Sequence, residues 1–181
     1  MLAMVDIDAP ILASLLRGSL ERGETPRLEI SSNSMSPLLR RGDKILLETI
    51  TPEQLKSGDI ITLVWPESLV THRYWAREGE PPAQRLWTRG DRPLVFDKPW
   101  PPEALIGRVN GRSRNGRTLS LTNGIGRRLN HHLAWLADLE FRWWGQSTRP
   151  QPNRPHWIRR GIRGLIYAWA IFITGICGLG A

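Results

Sequence analysis

The sequence predicts a mainly β protein: an antiparallel β domain with a short N-terminal helix ahead of it and helices behind it. Two observations carry that expectation. Between residues 26 and 122, short apolar or alternating runs are divided by Gly-Asp and Asn-Gly pairs, the pattern of strands joined by tight turns. On either side the apolar spacing lengthens to three and four residues, which is the helical period.

Asp8 is placed to cap a helix over residues 9–22, where Ile11, Leu12, Leu15, Leu16 and Leu20 recur at helical spacing before Gly23 stops it. Strands are expected at Pro26 to Ser31, Asp43 to Thr49, Asp59 to Trp65, Leu69 to Trp75, Gln84 to Arg89, Leu105 to Arg112 and Thr118 to Leu121. Gly42-Asp43, Gly58-Asp59, Gly90-Asp91, Asn110-Gly111 and Asn115-Gly116 are the expected turns. Past the strands, Arg127 to Trp144 repeats apolar residues at 129, 133, 136, 137 and 141, with Trp135, Trp143 and Trp144 widening the apolar face. Pro150, Pro152 and Pro155 then mark a linker. The chain so divides into an N-terminal helix (1–25), a β domain (26–122), an amphipathic Arg/Trp-rich helix (123–147), a Pro/Arg-rich linker (148–163) and a hydrophobic C-terminal segment (164–181).

Composition narrows the function. With one cysteine, Cys177, in 181 residues, an internal disulfide or a multi-cysteine metal site is excluded, and no metal or cofactor is expected. The formal charge of +8 is unevenly placed: from Arg108 to Arg163 there are twelve arginines and only Asp138 and Glu140 as acids. Five tryptophans, at 135, 143, 144, 157 and 169, lie in or beside that stretch, and Trp beside Arg is typical of bilayer interfaces. Beyond Arg163 the chain carries no charge. At ~1.5 Å per residue the segment from Gly164 reaches about 27 Å as a helix, against a hydrocarbon core of about 30 Å, so it is expected to insert deeply or span. Membrane lipid is therefore the expected partner, rather than a specific nucleic acid. Asp6 and Asp8 disfavour a secretory signal, and the arginine flank places the β domain on the cytoplasmic side of the membrane.

Ser32-Asn33-Ser34-Met35-Ser36-Pro37-Leu38-Leu39 follows an expected strand and is closed by Arg41-Gly42-Asp43. A serine on such a turn is held away from its own backbone, and the turn can aim N–H groups at one point, as an acyl-transfer oxyanion requires. Further along come Gly58-Asp59-Ile60-Ile61, Thr71-His72-Arg73, Thr88-Arg89-Gly90-Asp91 and Ile106-Gly107-Arg108-Val109. In content and order these five boxes resemble the signal peptidase I and LexA-type superfamily of serine peptidases, over about residues 26 to 110.

That resemblance implies a signal peptidase/LexA-like antiparallel β fold and a serine endopeptidase acting on a peptide or protein precursor. It makes Ser34 the nucleophile, and His72 stands in the box that supplies the general base. Lysine serves there in many relatives, but the endoplasmic-reticulum and archaeal branch uses histidine, so a Ser-His mechanism is implied. A neutral imidazole can take a hydroxyl proton at neutral pH, whereas a lysine must first be desolvated. Asp91 and Asp97 are the two acids able to orient the histidine, and the resemblance favours Asp97. For the oxyanion it implies the Ser34 backbone N–H together with the Ser32 hydroxyl. The alternative is a non-catalytic, regulatory protein of the same fold that binds membrane or nucleic acid.

Overall fold

The computed structural model describes residues 8–65, 68–144 and 156–179. Helix α1 (Ala9–Glu21) buries Ala13, Leu16 and Leu20 and leaves Ile11 and Leu15 exposed. Asp8 stands at its cap position, yet the Asp8 side chain bonds no backbone amide. The second helical residue is Pro10, which has no N–H to offer, so the carboxylate loses one of its two usual partners.

Seven strands follow: β1 (Arg27–Glu29), β2 (Lys44–Glu48), β3 (Ile60–Trp65), β4 (Ser68–Glu78), β5 (Arg85–Arg89), β6 (Leu105–Arg114) and β7 (Arg117–Ser120). They form one antiparallel sheet in the order β1-β2-β6-β3-β4-β5, with β7 also on β6. Asn115 and Gly116, both at positive φ, close β6 onto β7 as a two-residue hairpin, the conformation that Asn-Gly favours. Asn110-Gly111, expected as a turn, instead lies inside β6. Gly111 is paired with Leu46 on one edge and Ser120 on the other, and a Cβ there would meet Leu46 Cδ1 at 2.8 Å. The glycine makes room between strands rather than reversing the chain.

The main core joins α1, the sheet and the serine-bearing turn through Leu16, Leu20, Met35, Leu38, Leu39, Ile45, Leu47 and Ile60. A second cluster centres on Ile61, Leu63, Tyr74, Leu86 and Trp100. Helix α2 (Gly124–Trp144) closes the main core with Leu129, Leu133 and Leu136. Trp135, expected to widen that apolar face, stands 54% exposed, because the packed stripe runs through 129, 133, 136 and 137 and leaves 135 on the other side.

Helix α3 (His156–Leu179) starts eight residues before the expected hydrophobic segment, so residues 156–163 are helix rather than linker. The sequence holds no proline after Pro155 to stop it. Residues 1–7 and the linker prolines lie outside the described residues, as do the side chains of Trp143, Trp144, Trp157, Arg159, Arg160, Arg163 and Cys177. Among the described residues no helix is long and apolar enough to cross a membrane. One face of α3 packs on the domain, burying Ala170 and Thr174, with Ile166 and Ile173 against the main core.

Candidate active site

The turn after β1 carries Ser34 and is pinned from several directions. Met35, Leu38 and Leu39 are buried beneath it, and the Leu38 carbonyl accepts from the Arg112 and Arg114 guanidiniums. Arg114 also grips the buried Asp43 carboxylate through two bonds of 2.6 Å, and Asp43 accepts the Arg40 N–H. Asp43 is thus a structural clamp. The Ser34 carbonyl accepts the Arg92 N–H at 2.9 Å, which ties the serine to the segment after β5.

His72 lies in the first half of β4, paired with Ile61 of β3. Its Nε2 is 3.0 Å from Ser34 Oγ, and its Nδ1 is 2.6 Å from Asp97 Oδ2. A carboxylate can only accept, so the network assigns the proton to Nδ1 and leaves Nε2 to accept from the serine hydroxyl. Asp97 is fixed in turn: the Thr88 hydroxyl donates to the same Oδ2 at 2.6 Å, and the Trp100 indole N–H donates to Thr88 at 2.8 Å. Trp100, Thr88, Asp97, His72 and Ser34 therefore form one continuous hydrogen-bonded chain from the second core cluster to the surface. Ser32 Oγ stands 3.1 Å from Ser34 Oγ and accepts a long, 3.4 Å bond from the Ser34 N–H.

The other carboxylate goes elsewhere. Asp91 receives two bonds of 2.7 Å from Arg73, whose side chain is fully buried and also donates to the Gly58 carbonyl and Asn130 Oδ1. Successive strand residues point to opposite faces, so Arg73 and His72 draw their partners from opposite sides of β4. Next to Asp91, Arg89 donates to the Ala137 carbonyl and sits among the rings of Trp75, Phe96 and Phe141. Burial pushes its guanidinium below the usual arginine range, with nearby Asp91 opposing that shift.

Three contributors carried no signal of their role in the sequence. Thr88 stands in a recognised box without an evident task, and Trp100 has no motif. Gly90 is the third: a Cβ there would lie 2.9 Å from the Ser34 carbonyl oxygen, 2.9 Å from Pro93 Cδ and 3.2 Å from His72 Nε2. Glycine is required by proximity. Of the remaining histidines, His131 is exposed and His132 accepts the Trp169 indole N–H at 3.2 Å.

Ser34 and His72 open on a cleft of about 520 Å³ whose walls include Leu28 to Ser32 and Ser68 to Thr71, with Ala9 and Leu12 of α1 also lining it. Each wall includes part of a strand at an open edge. β1 ends the sheet, and β4 pairs with β5 only from Arg73 onward, so among the described residues its Ser68–His72 stretch has no strand on that edge. Such edges can pair with an extended chain and hold it beside the Ser34 hydroxyl. No protein-family model matches the chain, and no curated protein matches it.

Proposed function

We propose that this protein is a serine endopeptidase with the architecture of the signal peptidase and LexA-type enzymes, cleaving a peptide or protein precursor. The observation that carries the reading is the Ser34–His72–Asp97 chain, with contacts of 3.0 and 2.6 Å, opening on a cleft with unpaired strand edges. The five-box resemblance in the sequence agrees with it.

A precursor segment adds along the free edge of β4 as an extended strand, main chain to main chain. Ser34 Oγ attacks the scissile carbonyl carbon while its proton passes to His72 Nε2, and Asp97 supports the imidazolium that forms. The oxyanion is received by the Ser34 N–H and the Ser32 hydroxyl, the former giving up its long bond to Ser32. Collapse breaks the C–N bond, and the imidazolium proton goes to the leaving amine. Water then attacks the acyl-Ser34 ester, giving its proton to His72, which returns one to Ser34 Oγ as the acid product leaves.

The test incubates the full-length protein with a proteome-derived peptide library and reads new termini by mass spectrometry, alongside Ser34→Ala and His72→Ala. Cleavage by the native protein that either substitution abolishes supports the reading. Cleavage that survives either one, or none by the native protein, overturns it.

A further inference from the structure

The face of α3 that flanks its packed side is apolar and, among the described residues, exposed. Leu165, Trp169, Phe172 and Ile176 are all exposed, Leu165 by 72% and Phe172 by 58%, and their spacing of four, three and four places them on one helical stripe. Exposed apolar residues scattered singly need no explanation, but a contiguous stripe of four does. The stripe continues on α2. Trp169 donates to His132, His132 lies beside the Trp135 ring at 5.7 Å, and Trp169 lies beside Phe172 at 5.9 Å. Ile125, about two turns before His132 on α2, is exposed as well.

This aromatic belt is bordered by positive charge. Exposed Arg127 and Arg128 share a shallow cleft of about 640 Å³ with His131, His132 and Trp135. Asp138, the acid on the same side of α2, is held by Arg142 at 2.8 Å. Arginine at the rim, tryptophan at its inner border and aliphatic or phenyl side chains beyond reproduce the order of headgroup, interface and acyl chain.

We propose that this joint face of α2 and α3 docks on an anionic phospholipid bilayer, with α3 lying in the membrane plane rather than across it. The packed side of α3 favours that orientation, since spanning would strip buried Ala170 and Thr174 from the domain. The proposal does not depend on the peptidase reading. Lipid binding is measured without cleavage, and Ser34→Ala binds vesicles as the native chain does.

The experiment floats the full-length protein with phosphatidylcholine vesicles containing or lacking phosphatidylglycerol. Anionic vesicles carry the native chain, and alkaline carbonate releases it. Trp169→Glu with Phe172→Glu abolishes flotation while the circular dichroism stays that of the folded chain, since the pair loses the Trp169–His132 bond and one ring contact but no buried side chain. Arg127→Gln with Arg128→Gln weakens binding to anionic vesicles about 25-fold, at roughly fivefold per arginine near a charged surface. Retention through carbonate, undiminished flotation of the Trp169/Phe172 variant, or equal binding to neutral vesicles overturns the proposal. Self-association through this face, or duplex DNA binding, in place of vesicle binding overturns it too.

Discussion

Asp97 and Asp91 lie six residues apart in sequence and bond different partners, His72 and Thr88 for one and Arg73 for the other, so replacing each by asparagine tests whether the proposed chemistry separates from the fold. In Asp97→Asn the amide oxygen can still accept from His72 and Thr88, which keeps the site assembled, but the charge facing the imidazolium is gone. If the amide turns over, its NH₂ forces the other histidine tautomer and Nε2 no longer accepts from Ser34. Either way kcat is expected to fall about 10⁴-fold, equivalent to about 5.4 kcal/mol of transition-state stabilisation, with the melting temperature unchanged. Asp91→Asn instead leaves the Arg73 guanidinium, whose side chain is 0% exposed, without its counter-charge. Breaking such a buried pair costs about 3–5 kcal/mol, which lowers the melting temperature of a chain of this size by about 6–20 °C. The assays are hydrolysis kinetics on a peptide identified from the library and a thermal melt of each variant. Near-native activity in Asp97→Asn, or loss of activity in Asp91→Asn at an unchanged melting temperature, would refute the division of labour.

Three further outcomes are expected. In Gly90→Ala the new methyl must displace the Ser34 carbonyl or the His72 ring by about half an ångström, and kcat should fall tenfold to a hundredfold with KM little altered, as measured by steady-state kinetics. Ser32→Ala removes one oxyanion donor from an exposed position, so kcat should drop about 10²-fold while the melting temperature holds; unchanged kinetics would remove Ser32 from the mechanism. Burial, aided by Arg114, pushes the Arg112 guanidinium down to about 10. A folded-state value below the unfolded one means that the charge opposes folding at neutral pH, and that stability is recovered only as pH rises above about 10. Arg112→Met should therefore melt at the native temperature or higher, because the Leu38 carbonyl keeps its bond from Arg114; clear destabilisation would show that the buried cation is needed.

The strand series was readable because its turns have local chemistry: Gly42, Gly58, Asn115 and Gly116 all take positive φ, which few other residues adopt cheaply. Gly111 and Gly90 look identical in sequence to turn glycines, yet one makes room for a neighbouring strand and the other for the serine-bearing turn. Only the packed fold distinguishes those uses. The Ser34 and His72 pairing was expected from ordered boxes, but the division between Asp91 and Asp97 depends on which face of β4 each carboxylate approaches, and spacing does not carry that information. Thr88 and Trp100 were invisible for the same reason, as hydrogen-bond relays whose residue types are common in any strand. On α2, the apolar periodicity was sound while its breadth was not, since Trp135 belongs to the exposed rim.

The Tyr167 hydroxyl lies 3.0 Å from Ser36 Oγ, two residues beyond Ser34, and the Arg92 guanidinium covers the Tyr167 ring at 5.3 Å. A displacement of α3 therefore reaches the loop that carries Ser34 by three routes: this hydroxyl pair, Arg92, whose N–H holds the Ser34 carbonyl, and the packing of Ile166, Ala170 and Ile173 on the core that contains Met35, Leu38 and Leu39. The position of Ser34 is thus mechanically coupled to a helix more than 120 residues away in sequence.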